Sequence, residues 1–313
     1  MAEKYLGNKK DIRYIYSVLE KYNISKRTKK ELALQREEKG DNPNSFKAKY
    51  KQNDKYFQKW SYNMAYLLGY IATDGCIIGN NILKFGLAEK DSDLLDKIKE
   101  ELSFTGPISN KTIHLESTGK EYQVKEMTIR SKQIVSDLKN LGIDNNKTFT
   151  IGNFSFVPPK YQKAFLLGAV DGDGGYDRIL GSKCEKSIQL RVRLCSASYD
   201  FIQSFQDLMV NNGFSKATIK KEKRENPFYT IEYSTKDAIN FLSCYENVTI
   251  YLNRKIEKLI DLINQRKEYE KTAKGLKIHV SDLIQEYNIT KSPQHLVSYK
   301  VEKVRQSESE LTD

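Results

Sequence analysis

Two aspartates, Asp74 and Asp173, are the residues of this 313-residue chain whose surroundings suggest chemistry. Each ends an apolar stretch and precedes a glycine: MAYLLGYIATDG ends at residue 75 and KAFLLGAVDGDG at residue 174. Such stretches favour buried helices, and a helix C-terminus disfavours a carboxylate. If the two helices pack side by side, both carboxylates meet, and a divalent cation with oxygen ligands would stabilise them. The simpler alternative is that each aspartate only caps the turn before its glycine.

Small residues recur along one side of each stretch, at intervals that place them on one helix face. They are Ala65, Gly69 and Ala72 in the first copy, and Ala164, Gly168 and Gly172 in the second. Such a stripe predicts that the two helix backbones approach closely. Gly75 and Gly174 follow the helices, where we expect them to act as left-handed C-terminal caps.

The repeated stretch resembles the motif of the LAGLIDADG homing endonucleases. LLGYIATDG and LLGAVDGDG match that motif in character at all nine positions, and the resemblance covers about residues 60 to 268. Two motifs in one chain are similar to the monomeric branch of the family. The first aspartate of the motif is present as Asp171 but replaced by Ala72 in the first copy, a position that varies in the family.

The resemblance implies a Mg²⁺-dependent nuclease that cuts double-stranded DNA and leaves short 3′ overhangs. It makes Asp74 and Asp173 the metal ligands, sharing two or more Mg²⁺ ions, with the backbone of Gly75 and Gly174 as further candidates. The DNA target would be long and pseudo-asymmetric, because the two halves of the chain differ.

The same resemblance places a basic residue just after the last helix of each half, to orient water and stabilise the transition state. It identifies Lys147 in the first half and Lys255 in the second, with Arg254 as a competitor for the latter. Their partners at the sheet edge would be Glu89 and Ser196, at positions where family members often carry Gln. For either lysine the plainer interpretation is a surface charge.

The composition indicates an acidic partner. The formal charge is +11, and twenty tyrosines add groups that stack on bases or contact phosphates, which favours nucleic acid over a generic basic protein. Four cysteines without C-x-x-C spacing and only three histidines argue against a zinc site or a histidine-based nuclease. We find no signal peptide and no membrane-spanning run, so we expect a soluble, intracellular, reduced protein without a membrane partner.

Four segments are predicted: a basic helical N-terminal extension (1–60), two motif-containing halves (61–155 and 156–269) and a helical C-terminal extension (270–313). In the extension, helices are expected at 11–20 and 25–39, before a linker at 40–45. Residues 19–26 resemble residues 284–291, which suggests a helix-turn-helix element at each end. The alternative is two unrelated amphipathic helix pairs that pack on the core.

Each half predicts the order helix, strand pair, helix, strand pair, helix, so the fold class is α+β with pseudo-two-fold symmetry. The predicted strands are 76–79, 82–88, 107–115 and 121–130, then 175–181, 187–196, 215–222 and 228–234. The predicted helices of the second half include 236–245 and a long helix at about 253–270. Alternation along 189–194 predicts antiparallel sheets with one covered and one basic face, forming a curved DNA-binding saddle. The candidate DNA contacts are Arg191, Arg193, Lys84, Arg130 and Lys221, unless these simply form a solvated face.

The sequence therefore predicts a monomeric, site-specific DNA endonuclease of the homing type. One alternative is an intron maturase that binds host intron RNA, because the same fold assists splicing. The other is a DNA-binding regulator that does not cut, although a regulator has no need of carboxylates at two helix ends.

Overall fold

The computed structural model describes residues 19–22, 31, 50–115, 119–180 and 188–270. The chain divides into two compact units, residues 1–49 and 50–313. Residues 19–21 are helical, at the end of the first helix expected in the extension. Residue 31, in the second predicted helix, is also helical. The rest of both helices, the linker and the C-terminal segment with its helix-turn-helix echo lie outside the described residues.

Residues 50–60, the last part of the predicted N-terminal extension, contact the first half. The N–H of Asn53 donates to the carbonyl of Leu102 at 2.8 Å, and the Tyr56 hydroxyl donates to Glu101 at 2.9 Å. Tyr56 is buried by this contact. Backbone and side-chain contacts thus connect residues 50–60 to the core of the first half, and the domain boundary at residue 60 stays a prediction.

The first half contains three α-helices and four strands: α1 (Tyr62–Thr73), β1 (Cys76–Ile78), β2 (Ile82–Ala88), α2 (Asp93–Glu101), β3 (Ile108–Leu115), β4 (Lys120–Arg130) and α3 (Lys132–Asn140). The strands form an antiparallel sheet in the order β1-β2-β4-β3. Serines begin two of the helices, as N-capping side chains do. Ser61 accepts from the N–H of Met64 at 3.0 Å, and Ser131 from that of Ile134 at 3.1 Å.

The second half repeats this order and then adds a long helix: α4 (Gln162–Asp173), β5 (Gly174–Leu180), β6 (Ile188–Ser196), α5 (Tyr199–Asn211), β7 (Ile219–Lys221), β8 (Tyr229–Tyr233), α6 (Thr235–Asn240) and the additional α7 (Asn253–Glu270). Its sheet has the equivalent order, β5-β6-β8-β7, and is also antiparallel. The predicted α+β fold with a duplicated helix, strand pair, helix, strand pair, helix order is confirmed.

Strand β7 is shorter than the predicted 215–222, and the cause is local. The N–H of Ser215 donates to the Asp237 carboxylate at 3.0 Å, and the Gln206 side chain donates to the carbonyl of Ala217. Side chains thus satisfy main-chain groups that would otherwise need a neighbouring strand. The predicted helix at 236–245 also differs, because α6 ends at Asn240 and continues as a 3₁₀ turn, Phe241–Tyr245.

Helices α1 and α4 pack against each other at the centre of the fold, with their backbones close together. A Cβ built on Gly69 would lie well inside contact distance of the Phe165 carbonyl oxygen, and one on Gly168 equally close to that of Tyr66. The duplication relates Gly69 to Gly168 and Tyr66 to Phe165, so these contacts show the pseudo-two-fold axis. The predicted close approach is confirmed. Although both helices are apolar, within the described ranges the chain has no helix able to cross a membrane.

The glycines after the two motif helices do not act as left-handed caps, so that expectation is wrong. Gly174 has φ −108°, and neither it nor Gly75 is among the glycines with positive φ. Instead, both lie where the chain turns directly from helix to strand. A Cβ would be 2.7 Å from the Ile71 Cα at Gly75 and 2.8 Å from the Val170 Cα at Gly174. Glycine is needed here for close approach of the backbone.

Candidate active site

The two aspartates lie together at the adjacent C-terminal ends of α1 and α4. Asp173 is the last residue of α4, Asp74 follows α1 directly, and both are open to solvent. A Cβ on Gly172 would be 3.4 Å from the Asp74 main-chain nitrogen, which shows how closely the helix ends meet. Neighbouring protein atoms and then the charge of Asp74 raise the pKa of Asp173 to about 6. The helix packing thus brings two carboxylates within mutual electrostatic range.

Lys147 covers the C-terminal end of α1. It begins a 3₁₀ turn, Lys147–Phe149, after Asn146, which has a left-handed backbone with φ 55°. Its Nζ donates to the carbonyl of Thr73 at 3.0 Å and to that of Gly75 at 2.6 Å. The lysine supplies positive charge, which is favourable at a helix C-terminus. It therefore offsets the unfavourable interaction between the Asp74 carboxylate and the negative end of the helix dipole.

Lys255 covers the C-terminal end of α4 in the same way, but it is more deeply buried. It lies in the first turn of α7 and is only 7% exposed. Its Nζ donates to the carbonyls of Val170 at 2.7 Å, Asp171 at 2.6 Å and Gly174 at 2.9 Å, with Gly172 at 3.3 Å. These carbonyls satisfy a buried ammonium group that would otherwise be costly.

Each lysine caps the helix of its own half, yet each of Asp74 and Asp173 is affected more by the lysine of the other half than by the lysine of its own half. Neighbouring protein atoms, which displace part of the water around the carboxylate, raise the pKa of Asp74, and Lys255, ahead of Lys147, opposes that rise. For Asp173 the order is reversed, with Lys147 ahead of Lys255. Burial also lowers the pKa of both lysines. We therefore define two composite clusters, the Asp74 cluster (Asp74 with Lys255) and the Asp173 cluster (Asp173 with Lys147).

A buried hydrogen bond joins the two motif helices on one side of the pseudo-two-fold axis. The Tyr66 hydroxyl of α1 donates to Asp171 Oδ2 of α4 at 2.8 Å. Asp171 is 1% exposed, and burial raises its pKa to about 6. The duplication relates Tyr66 to Phe165 and Asp171 to Ala72, so the equivalent place across the axis holds an apolar pair.

Ser196 and Glu89, the predicted partners of the lysines, lie in different surroundings. Ser196 ends β6 and, with Asp173, lines a cavity of about 670 Å³. Glu89 begins the 3₁₀ turn after β2 and is exposed. Arg254, considered as a competitor for Lys255, points instead to Asp91, which it binds through two nitrogens at 2.7 and 2.9 Å. Lys255 is thus the residue that reaches the helix end.

Sequence reasoning missed two groups at the site. Tyr70 lies one helical turn before Asp74; burial and then the Asp74 charge raise its pKa, so its hydroxyl stays protonated. Arg224 lines the cavity beside Asp173, with its guanidinium 4.0 Å from the Phe228 ring centroid. The four-residue spacing on a helix was the available signal for Tyr70. Arg224 follows a strand whose short length the sequence did not indicate.

The alternation predicted for β6 is present, but the outer face is not simply basic. Leu190, Val192 and Leu194 are buried, while the arginines between them face outward. Arg191 donates to Glu232 at 2.6 Å, and Arg193 lies 3.6 Å from Asp177. Acidic residues on the neighbouring strands β5 and β8 therefore neutralise part of the predicted basic face. Which acidic residues lie beside the arginines depends on strand register, so this neutralisation could not be predicted from the β6 sequence alone.

The other predicted DNA contacts are also on or beside the sheets. Lys84 pairs with Glu126 across β2 and β4 at 2.6 Å. Lys221 is exposed, with its ammonium 5.9 Å from the Tyr229 ring centroid. Arg130 is exposed at the end of β4. The five candidates thus lie on strands of both halves, with their side chains wholly or partly open to solvent.

Neither a protein-family model nor a curated protein matches the chain. The chain is similar to the solved structure of the homing endonuclease I-WcaI bound to its DNA recognition sequence, with 17% identity and a TM-score of 0.47 over 69% of this chain and 93% of that one. It is also similar to the LAGLIDADG meganuclease I-AabMI bound to uncleaved DNA, with 14% identity and a TM-score of 0.45 over 72% of this chain and 97% of that one. The solved structures to which the chain is similar are LAGLIDADG homing endonucleases, the family that its two motifs resemble.

Proposed function

We propose that the protein is a site-specific endonuclease of the LAGLIDADG homing type that cuts double-stranded DNA. The observation that carries this proposal is the meeting of Asp74 and Asp173 at two helix ends, each with a lysine from the other half. Each cluster serves one strand of the duplex. Because one chain supplies both clusters, the protein acts as a monomer.

The donor atoms suit Mg²⁺ held jointly with the substrate. Among the described residues, no group of three or more His, Cys, Asp or Glu side chains is placed to hold a metal ion. Mg²⁺ commonly binds through one or two carboxylates, several waters and substrate phosphates, which matches a site with two carboxylates open to solvent. The carbonyls of Gly75 and Gly174 already accept from lysines, but a carbonyl oxygen has a second lone pair for another partner.

The side chains around the two clusters have distinct roles in this proposal. A bound divalent cation supplies an activated water and neutralises phosphate charge. Asp74 and Asp173 would hold such cations through their carboxylates. Lys255 and Lys147 add positive charge where negative charge develops on the phosphate.

We propose that the outward arginines and lysines of the sheets contact the DNA on either side of the clusters. Arg191, Arg193 and Lys84 would exchange carboxylate partners for phosphates or base edges, while Lys221 and Arg130, both exposed on strands, would contact the DNA backbone. Such contacts release counterions, so DNA affinity falls as the salt concentration rises. The acidic partners Glu232, Asp177 and Glu126 oppose binding of any polyanion, and so favour targets whose base contacts compensate.

The two alternatives make different demands on the site. A regulator that binds without cutting needs no convergent carboxylates with a lysine at each. A maturase needs a protein surface that binds RNA, and a binding measurement with host intron RNA tests for it. We therefore place both below the endonuclease.

Cleavage selection from a randomised duplex library with Mg²⁺ tests the proposal and identifies the target. The wild-type protein should leave short 3′ overhangs at one selected site. Asp74→Asn and Asp173→Asn should each nick only one strand, and the two nicks should fall on opposite strands. Asp96→Asn, an exposed helical carboxylate on α2, is the matched control and should cut both. Full double-strand cutting by either active-site variant would contradict the assignment of one aspartate to each strand.

A further inference from the structure

Asp171 makes more contacts than its role between the motif helices requires. Its Oδ2 accepts from the Tyr66 hydroxyl at 2.8 Å and also from the main-chain N–H of Leu252 at 2.9 Å. Its other oxygen, Oδ1, is buried without a hydrogen-bond partner. A buried carboxylate with one oxygen unsatisfied is costly, so the contacts of Oδ2 need an explanation.

The contact with Leu252 fixes the start of α7. The carbonyl of Leu252 accepts from the N–H groups of Lys255 at 3.0 Å and Ile256 at 3.4 Å, so Leu252 is the residue from which the helix begins. Asp171 holds the N–H of that same residue. The carboxylate therefore anchors the first turn of α7, and with it the backbone of Lys255, to the end of α4.

The contacts among Asp171, Leu252 and Lys255 form a closed loop of interactions. The Asp171 side chain holds Leu252, Leu252 begins the turn that carries Lys255, and the Lys255 ammonium donates back to the Asp171 carbonyl at 2.6 Å. Lys147 has no counterpart of this loop at the equivalent motif position, because Ala72 stands there. Lys147 is correspondingly only half-buried, whereas Lys255 is buried.

We infer that Asp171 is a positioning residue for Lys255 and, through it, for the Asp74 cluster. The inference concerns the placement of a side chain, and its consequence for cleavage rests on the proposed function. Loss of the Asp171 carboxylate releases Lys255 and slows cutting of the strand that the Asp74 cluster serves, while the Asp173 cluster keeps its lysine.

Lysine reactivity tests the placement without requiring any cleavage. Brief reductive methylation, read by peptide mass spectrometry, compares Lys255 with Lys147 and with exposed Lys90 in the same sample. In the wild type, Lys255 should react at least tenfold more slowly than Lys90. In Asp171→Ala, Lys255 should react several-fold faster and Lys147 at its wild-type rate. Equal increases at both lysines would mean general loosening of the fold and would overturn the inference.

Three further variants separate positioning from stability. Asp171→Asn retains an oxygen that can accept from the Leu252 N–H, so Lys255 should stay protected from methylation. If Lys255 instead reacts as fast as in the alanine variant, charge attraction and not the hydrogen bond places Lys255, and the inference is wrong. Tyr66→Phe removes only the other donor and should leave Lys255 protected. The double variant Tyr66→Phe with Asp171→Ala leaves no hydroxyl stranded, so it should be more stable than the single alanine variant, and its Lys255 should still be reactive.

Strand-resolved cleavage of the selected target gives the functional readout. The strand left intact by Asp74→Asn should be cut at least tenfold more slowly by Asp171→Ala, with the other strand changed less than threefold. Equal slowing of both strands would refute strand-specific positioning. If the wild-type protein cuts no DNA, the proposed function fails, while the methylation rates still decide whether Asp171 places Lys255.

Discussion

Replacing the two interface glycines by alanine gives a quantitative test of the central helix packing. In an ordinary helix, Gly→Ala stabilises by about 1 kcal/mol. At Gly69 and Gly168 the added methyl group meets a carbonyl oxygen of the other helix, and a main-chain atom cannot rotate away. The helices must separate, and overpacking of this kind costs about 3 kcal/mol at the upper end of its usual range. Each single variant should therefore lose about 2 kcal/mol of unfolding free energy.

The double variant is the more informative case. One separation of α1 and α4 makes room for both methyl groups, because the two overlaps are related by the pseudo-two-fold axis. The separation is needed once, at about 3 kcal/mol, while the propensity gain occurs twice, at about 2 kcal/mol in total. Gly69→Ala with Gly168→Ala should therefore lose only about 1 kcal/mol, less than either single variant and far from the additive 4 kcal/mol.

Urea denaturation followed by circular dichroism measures these differences through the transition midpoint and slope. Gly175→Ala is the control, because a Cβ there meets nothing within 4 Å, and it should be neutral or stabilised by up to about 1 kcal/mol. Additive losses in the double variant, or a gain of stability in either single variant, would refute the close packing on which the meeting of the aspartates depends.

Three further predictions concern buried polar groups. Asp171→Ala should destabilise the fold by about 2–3 kcal/mol because it strands the Tyr66 hydroxyl and the Leu252 N–H, and adding Tyr66→Phe should recover about 1 kcal/mol in denaturation experiments; no recovery would argue against the pair. The pKa of Asp171, about 6 in the folded protein, lies above the unfolded value near 3.9, so the folded state binds the extra proton. The unfolding free energy should therefore fall by about 2–3 kcal/mol as the pH rises from about 4 to about 6, and Asp171→Asn should lack that component when denatured at the same pH values. Arg254→Ala should cost about 1–3 kcal/mol in the same assay because it leaves Asp91 buried without its partner, and Arg254→Lys should recover only part of this, since lysine cannot bind through two nitrogens.

Local patterns predicted the elements of this fold well. Strand β2 and helix α7 have the predicted bounds, because alternation and helical spacing are properties of adjacent residues. The motif helices and their small-residue contacts were likewise visible, since the same pattern occurs twice. The caps at Gly75 and Gly174 were mispredicted because an Asp-Gly pair is compatible with both a left-handed turn and a close backbone approach. Only the packed structure distinguishes the two.

The features that sequence could not supply all depend on contacts between distant segments. The side chain of Lys255 contacts the end of α4 although Gly174, one of its partners there, lies 81 positions earlier in the chain. The pairing of Arg191 with Glu232 depends on strand register, which sets which charges lie side by side. The stronger influence of each lysine on the aspartate of the other half depends on how the two halves pack together. No periodicity within either half encodes it.

The two equivalent places at the α1–α4 junction hold different pairs, Tyr66 with Asp171 and Ala72 with Phe165. Only the combination of one first half with one second half satisfies both places. Two copies of the first half would face Tyr66 with Ala72, leaving a buried hydroxyl without an acceptor. Two copies of the second would press the Asp171 carboxylate against Phe165. If the gene were divided between the halves, the separate products should recognise each other and reject themselves. Such a division would convert an intramolecular scaffold into an obligate heterodimer, in which activity depends on the presence of both products.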